Sequence, residues 1–133
     1  MLTRALEDLP LPLVHHQNEA RKSLRDLLGL KPAARLLGNN SALSSKFGYG
    51  YLMLRCAHFR DQGIDFHCVL AGDGPLRDEL ERQRIILRLD DHVSFLGSIV
   101  EEAEFLAALD VVISDMDDLA QIAGCFRKLL GQT

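Results

Sequence analysis

No stretch of this 133-residue chain stays apolar long enough to span a bilayer, which excludes a transmembrane segment. An excess of positive charge is also missing. The formal net charge is −4, with acids and bases mixed along most of the chain, so a general electrostatic grip on nucleic acid or an anionic membrane is not expected. Cys56, Cys68 and Cys125 are too widely spaced for a CxxC or Cys/His zinc cluster and read as buried, reduced thiols of a cytoplasmic protein. Internal repeats and low-complexity tracts are lacking too. The first residues carry Glu7 and Asp8 before a short Leu-Pro stretch, unlike a secretory signal. What remains is 47% apolar and 26% charged, a balance that suits one globular domain with a real core.

Residues 1–17, interrupted by Pro10 and Pro12, show no clear period and read as a lead-in segment. Residues 18–133 read as one Rossmann-like unit. A helix is expected from Asn18, as its cap, to Gly29, with Leu24, Leu27 and Leu28 as its apolar stripe. Strands are expected at 34–38, 66–72, 92–97 and 110–114. Helices are expected after 51, over 76–89, from 101 and over 118–130, with Leu52, Cys56 and Phe59 facing inward. The alternation makes this an α/β fold, a three-layer parallel sheet with helices on both faces and right-handed crossovers.

Ligands of such sheets sit beyond the carboxyl ends of the strands. There the chain places Gly38, Gly72, Gly74 and Gly97, with Pro75 opening a helix whose amino end favours phosphate. Lys46 on the first loop adds a full charge for a diphosphate. From these residues alone, "AGDGP" is as easily a turn as a nucleotide seat.

The order of the motifs says more. "LRDLLGLKPAARLLG", "SALSSKFGYGYLMLRCAHFRDQGIDFHCVLAGDGPLRDELERQ", "LDDHVSFLGSI" and "FLAALDVVIS" follow one another over roughly residues 20–114. This run resembles the C-terminal, nucleotide-sugar-binding domain of group 1 glycosyltransferases (family 4, GT-B fold). The resemblance implies a retaining enzyme that moves a hexose from a UDP-, GDP- or ADP-sugar to a sugar or lipid acceptor. It implies no cofactor and no metal. Lys46 then matches the diphosphate lysine, and Gly72, Asp73 and Gly74 the second diphosphate loop. Phe95, Leu96, Gly97 and Ser98 match the segment whose backbone borders the base, and Asp110 a mainly structural aspartate.

The chain also departs from the family pattern. Ala42 stands where the family has arginine. Leu119 and Arg127 stand where an ungapped reading puts its two glutamates, so no catalytic residue carries over. The N-terminal acceptor domain has no counterpart, which makes a partner chain or missing domain an expectation. A non-catalytic nucleotide-binding or partner subunit is the alternative. Asp115, Asp117 and Asp118 after the fourth strand suggest metal ligands but read better as helix caps. His58, His67 and His92 read as structural, and Tyr49 and Tyr51 as packing at a loop–helix junction. The fourth strand, apolar at Val111, Val112 and Ile113, would form a sheet edge open to a homodimer unless the last helix folds over it.

Overall fold

The computed structural model describes residues 13–99 and 101–131. Helix α1 (Leu13–Leu28) leads into strand β1 (Arg35–Asn40), and α2 (Lys46–Asp61) into β2 (Phe66–Ala71). Then come α3 (Arg77–Ile86), β3 (Val93–Gly97), α4 (Glu102–Ala108), β4 (Val111–Val112) and α5 (Leu119–Leu129). The strands form one parallel sheet in the order β3-β2-β1-β4. Parallel neighbours need crossovers, which the helices supply on both faces.

One face carries α2, α3 and α5. Leu52, Met53, Cys56 and Phe59 of α2 meet Cys125, Phe126 and Leu129 of α5 over Leu37, Cys68 and Leu70 of the sheet. Phe59 packs edge-on against Phe126, with ring centroids 4.7 Å apart. On the other face, Ala20 and Leu24 of α1 join Phe105 and Ala108 of α4 over Leu36 and Val69. All six residues of β2 are buried, as a central parallel strand requires. Each such apolar side chain contributes roughly 1.5–3 kcal/mol of transfer free energy.

The first helix starts at Leu13, upstream of the expected Asn18 cap, so Asn18 lies within the helix. Pro12 directly precedes that start in the sequence, a place where proline does not oppose a helix. Of the expected lead-in over residues 1–17, residues 13–17 belong to this helix and residues 1–12 lie outside the described residues. Helix α2 begins at Lys46, so the lysine belongs to its first turn and not to the loop. Only Val111 and Val112 are ladder-paired in the last strand. Asp110 replaces ladder bonding at its start: its N–H donates to Leu36 O (2.8 Å) and its Oδ2 accepts from Leu36 N (2.7 Å). Arg21 pairs with Asp110 Oδ1 at 2.8 Å, so this aspartate ties α1 and β1 to β4. β4 is one edge of the sheet, with Val112 37% exposed and Ile113 buried. Helix α5 lies beside it, and Cys125 Sγ stands 3.6 Å from Val112 O.

All three cysteines are free and buried. Burial pushes the Cys56 and Cys125 thiols up, away from reactivity. No helix of the described residues is long and apolar enough to cross a membrane.

Candidate functional site

The four loops at the carboxyl ends of the strands are stitched into one rim. Ser41 N donates to Ala71 O (3.2 Å), Leu43 N to Asp73 O (3.1 Å) and Leu76 N back to Leu43 O (3.0 Å), joining the first loop to the second. Gly72 N donates to Gly97 O (2.7 Å), joining the second to the third. Asn39 and Ser45 join the first to the fourth. Asn39 Nδ2 donates to Ile113 O at 2.7 Å, and Ser45 Oγ lies 2.6 Å from Asp117 Oδ1.

Gly72 and Gly74 make this stitching possible. A side chain at Gly74 would put its Cβ 2.8 Å from both N and O of Leu43. At Gly72 it would overlap Ser41 O, and the backbone there has φ +124°. The two glycines therefore serve the close approach of two backbones. The N–H groups of Gly72, Gly74, Leu76 and Arg77 are already engaged, with Gly97 O, Asp73 Oδ1, Leu43 O and Gly74 O. The first turn of α3 also holds Asp78 and Glu79, which already complement its dipole. Of the amides expected to be free after Pro75, those of Leu76 and Arg77 are thus spent inside the rim.

The amino end of α2 differs. Its cap residue Ser45 makes no side-chain capping bond, because the hydroxyl turns to the fourth loop. The first bond of the ladder is Tyr49 N to Ser45 O (2.9 Å), so the amides of Lys46, Phe47 and Gly48 precede it. Lys46 is exposed and carries the only full positive charge of that turn. A cavity of about 370 Å3 opens beside it, walled by Phe47, Tyr51, Leu54, Leu76 and Leu119. Leu119 thus lines the same cavity as Lys46, whereas Arg127 lies exposed in the last turn of α5. Ala42 is exposed on the first loop.

At the third loop, Phe95 packs against the core under α2 and α3, and Leu96 against the core under α1 and α4. A register shift opposite Leu70 and Ala71 bends β3 there. Ser98 is exposed.

Of the three aspartates after β4, Asp118 caps α5, whereas Asp115 closes a turn and Asp117 meets Ser45. Asp118 accepts from Gln121 N (3.1 Å) and Asp115 Oδ1 from Asp117 N (2.9 Å). Among the described residues no group of three or more His, Cys, Asp or Glu is placed to hold a metal. Tyr49 is buried, its hydroxyl donating to Asn39 Oδ1 at 3.0 Å, and burial raises its pKa. Asn39 also accepts from Ser41 Oγ (2.7 Å), which makes it the organising group of the rim. Sequence reading passed over it, although an asparagine inside a buried strand is itself a signal.

A second cavity, of about 460 Å3, lies at the opposite ends of the strands, beside Lys31, Asp65, His67 and Asp91. His67 is satisfied there. Nδ1 can only donate to Asp91 O (3.1 Å), so Nε2 accepts from Ser94 Oγ (2.7 Å). Burial lowers its pKa to about 4, so it stays neutral. His92 Nδ1 donates to Phe66 O (3.0 Å) with its ring stacked on Phe66, and His58 is exposed.

The parallel sheet, its two helical layers and the joined carboxyl-end rim define a Rossmann-like half-domain of the GT-B type. Residues 20–122 match the family model for group 1 glycosyl transferases, and the chain belongs to that family. A curated relative, a putative glycosyltransferase, EpsF, of Bacillus subtilis (strain 168), is 28% identical over 105 residues, 79% of this chain and 27% of the relative. The Anabaena HepE structure, in complex with UDP and glucose, is 29% identical with a TM-score of 0.59, over 71% of this chain and 26% of HepE. WaaG, a glycosyltransferase of lipopolysaccharide biosynthesis, shares the fold at 16% identity and a TM-score of 0.57, over 85% of this chain and 42% of its own. The chain thus spans about a quarter of the length of EpsF and HepE.

Proposed function

We propose that this chain is the donor-nucleotide unit of a retaining glycosyltransferase, acting in the cytoplasm on a nucleoside-diphosphate hexose, with a sugar or lipid as acceptor. The observation that carries the reading is the rim. It brings Lys46, the Gly72-Asp73-Gly74 turn and the Phe95–Ser98 segment to one end of the sheet. The same end binds ligands in open α/β sheets generally. That HepE was solved with UDP supports a diphosphate ligand of this kind.

In this reading the anomeric C–O bond to the diphosphate breaks and negative charge accumulates on the leaving group. Lys46 and the amides that open α2 lie where a diphosphate at the first loop would meet them, and they lower the barrier by offsetting that charge. Backbone of the third loop borders the base. The acceptor site belongs to a further domain or a partner chain. The β4 edge is where a second strand, from that partner or from a second copy, would pair.

Calorimetric titration with UDP, GDP and ADP tests the reading. Binding of one of them at micromolar to millimolar concentration, weakened by Lys46→Ala, is expected. No binding of any nucleotide at millimolar concentration sinks the donor assignment. Sedimentation of the chain with and without a Val112→Lys substitution tests pairing at the edge; a monomer in both cases removes the homodimer.

A further inference from the structure

We infer that Arg77 is a second cation of the donor site, binding the diphosphate of a nucleoside diphosphate from the opposite side of the Gly72–Gly74 turn to Lys46. The inference rests on the donor-site reading above and adds a residue to it. It starts from the first loop, where Lys46 is the sole basic residue between Gly38 and Gly48.

Arg77 is the first residue of α3, and the residue before it is bonded to Leu43 of the first loop. Its side chain runs toward β3. A Cβ built on Gly97 would stand 3.3 Å from Arg77 Nη1, so the guanidinium lies over the end of that strand. Gly97 has φ +74° and its carbonyl receives Gly72 N, so the guanidinium sits where the second and third loops meet. Across the rim the order is then Arg77 over Gly97, the Gly72–Gly74 turn, Leu43, and Lys46.

The fork of Arg77 is oriented but not used up. Nε donates to Glu81 Oε2 at 2.9 Å, one helical turn on, which holds the plane of the guanidinium. Neither Nη atom has a hydrogen-bond acceptor among the described residues. Two parallel N–H donors in a fixed plane suit a phosphate better than the point charge of a lysine. Glu81, Asp73 and Asp78 put negative charge near the same guanidinium, so the effect of removing it is expected to be moderate.

The test is titration of the full chain with UDP, GDP, ADP and inorganic pyrophosphate, in parallel for the unsubstituted protein, Arg77→Gln and Lys46→Ala. The expected result is affinity about tenfold weaker in Arg77→Gln, with a shallower salt dependence and an unchanged melting temperature. The loss should be the same for pyrophosphate as for the nucleotide that binds. Nucleotide binding that depends on Lys46 but is untouched by Arg77→Gln overturns the inference and leaves the donor reading standing. A loss confined to the nucleotide and absent with pyrophosphate makes Arg77 a contact to base or ribose and overturns the diphosphate role. Absence of binding in every protein overturns both.

Discussion

Two helix amino ends meet at the same rim and have been put to different uses. The end of α3, announced by the conspicuous Gly-Asp-Gly-Pro, has the amides of Leu76 and Arg77 engaged and acids in its first turn. The end of α2, announced by nothing more than a serine and a lysine, is uncapped and carries Lys46. The glycine-rich turn builds the floor by letting two backbones touch. The plainer helix start keeps the amides of Lys46, Phe47 and Gly48 ahead of its ladder, beside a lysine. A motif that is prominent in sequence can thus be a packing device, while the electrostatics that would hold an anion sit next to it.

The largest expected effect tests the packing half of that contrast. Gly74→Ala forces a Cβ into the backbone of Leu43 and should destabilise the chain by about 3 kcal/mol, read as a lowered denaturation midpoint with unchanged m-value. A loss below half a kilocalorie per mole would show that the two loops are not rigidly apposed. Next comes the opposite end of the sheet. His67 is held neutral with a pKa of about 4, against an ordinary value near 6.5. The unfolded chain therefore binds the extra proton between those values. The stability from this group is complete above pH 6.5 and is lost as pH falls toward 4, on the order of 2–3 kcal/mol. Urea denaturation across pH 4–7 should show that slope, and His67→Leu should flatten it. Asp110→Ala removes acceptors from Leu36 N and Arg21 and should cost about 2 kcal/mol, without changing nucleotide affinity if the rim is separate from this clamp.

Much of the fold was legible because its signals are local. Each strand and helix expected from periodicity is present within a few residues, and Asp118 caps α5 as its position suggested. The misses share a cause. Asn18 resembles a cap, yet the helix runs back to Leu13, past the point where cap chemistry alone would start it. The last strand pairs over only two residues because Asp110 answers Leu36 with its side chain. The site was legible only in part. Resemblance singled out Lys46 and the glycines, but which amides are free depends on hydrogen bonds between loops far apart in sequence. Asn39 to Ile113 and Ser45 to Asp117 are such bonds, and no window of sequence contains either pair.

The electrostatic half of the contrast is tested by Lys46→Ala. Lys46 is exposed and pairs with no acid among the described residues, so its removal should leave the melting temperature unchanged. Affinity for the preferred nucleoside diphosphate should fall about tenfold, less so at high salt, where the charge is screened. A variant that loses stability and affinity together would make Lys46 a packing residue after all.

The smallest effect has the sharpest sign. Gly48 and Gly50 sit two residues apart in the first turns of α2. A Cβ on Gly48 would collide with Met116 O, whereas one on Gly50 meets nothing within 4 Å. Gly50→Ala should therefore stabilise the chain by about 0.5–1 kcal/mol, because it removes backbone freedom from the unfolded chain at no steric cost. Gly48→Ala should do the reverse. Gly50 also lines the cavity beside Lys46 and Leu119, so the added methyl group intrudes on that space. If a bound donor extends into it, Gly50→Ala will raise the melting temperature and weaken binding of the nucleotide sugar but not of the bare diphosphate. If both ligands bind as before, the cavity lies outside the donor site, and the unspent end of α2 meets its anion from the rim side alone.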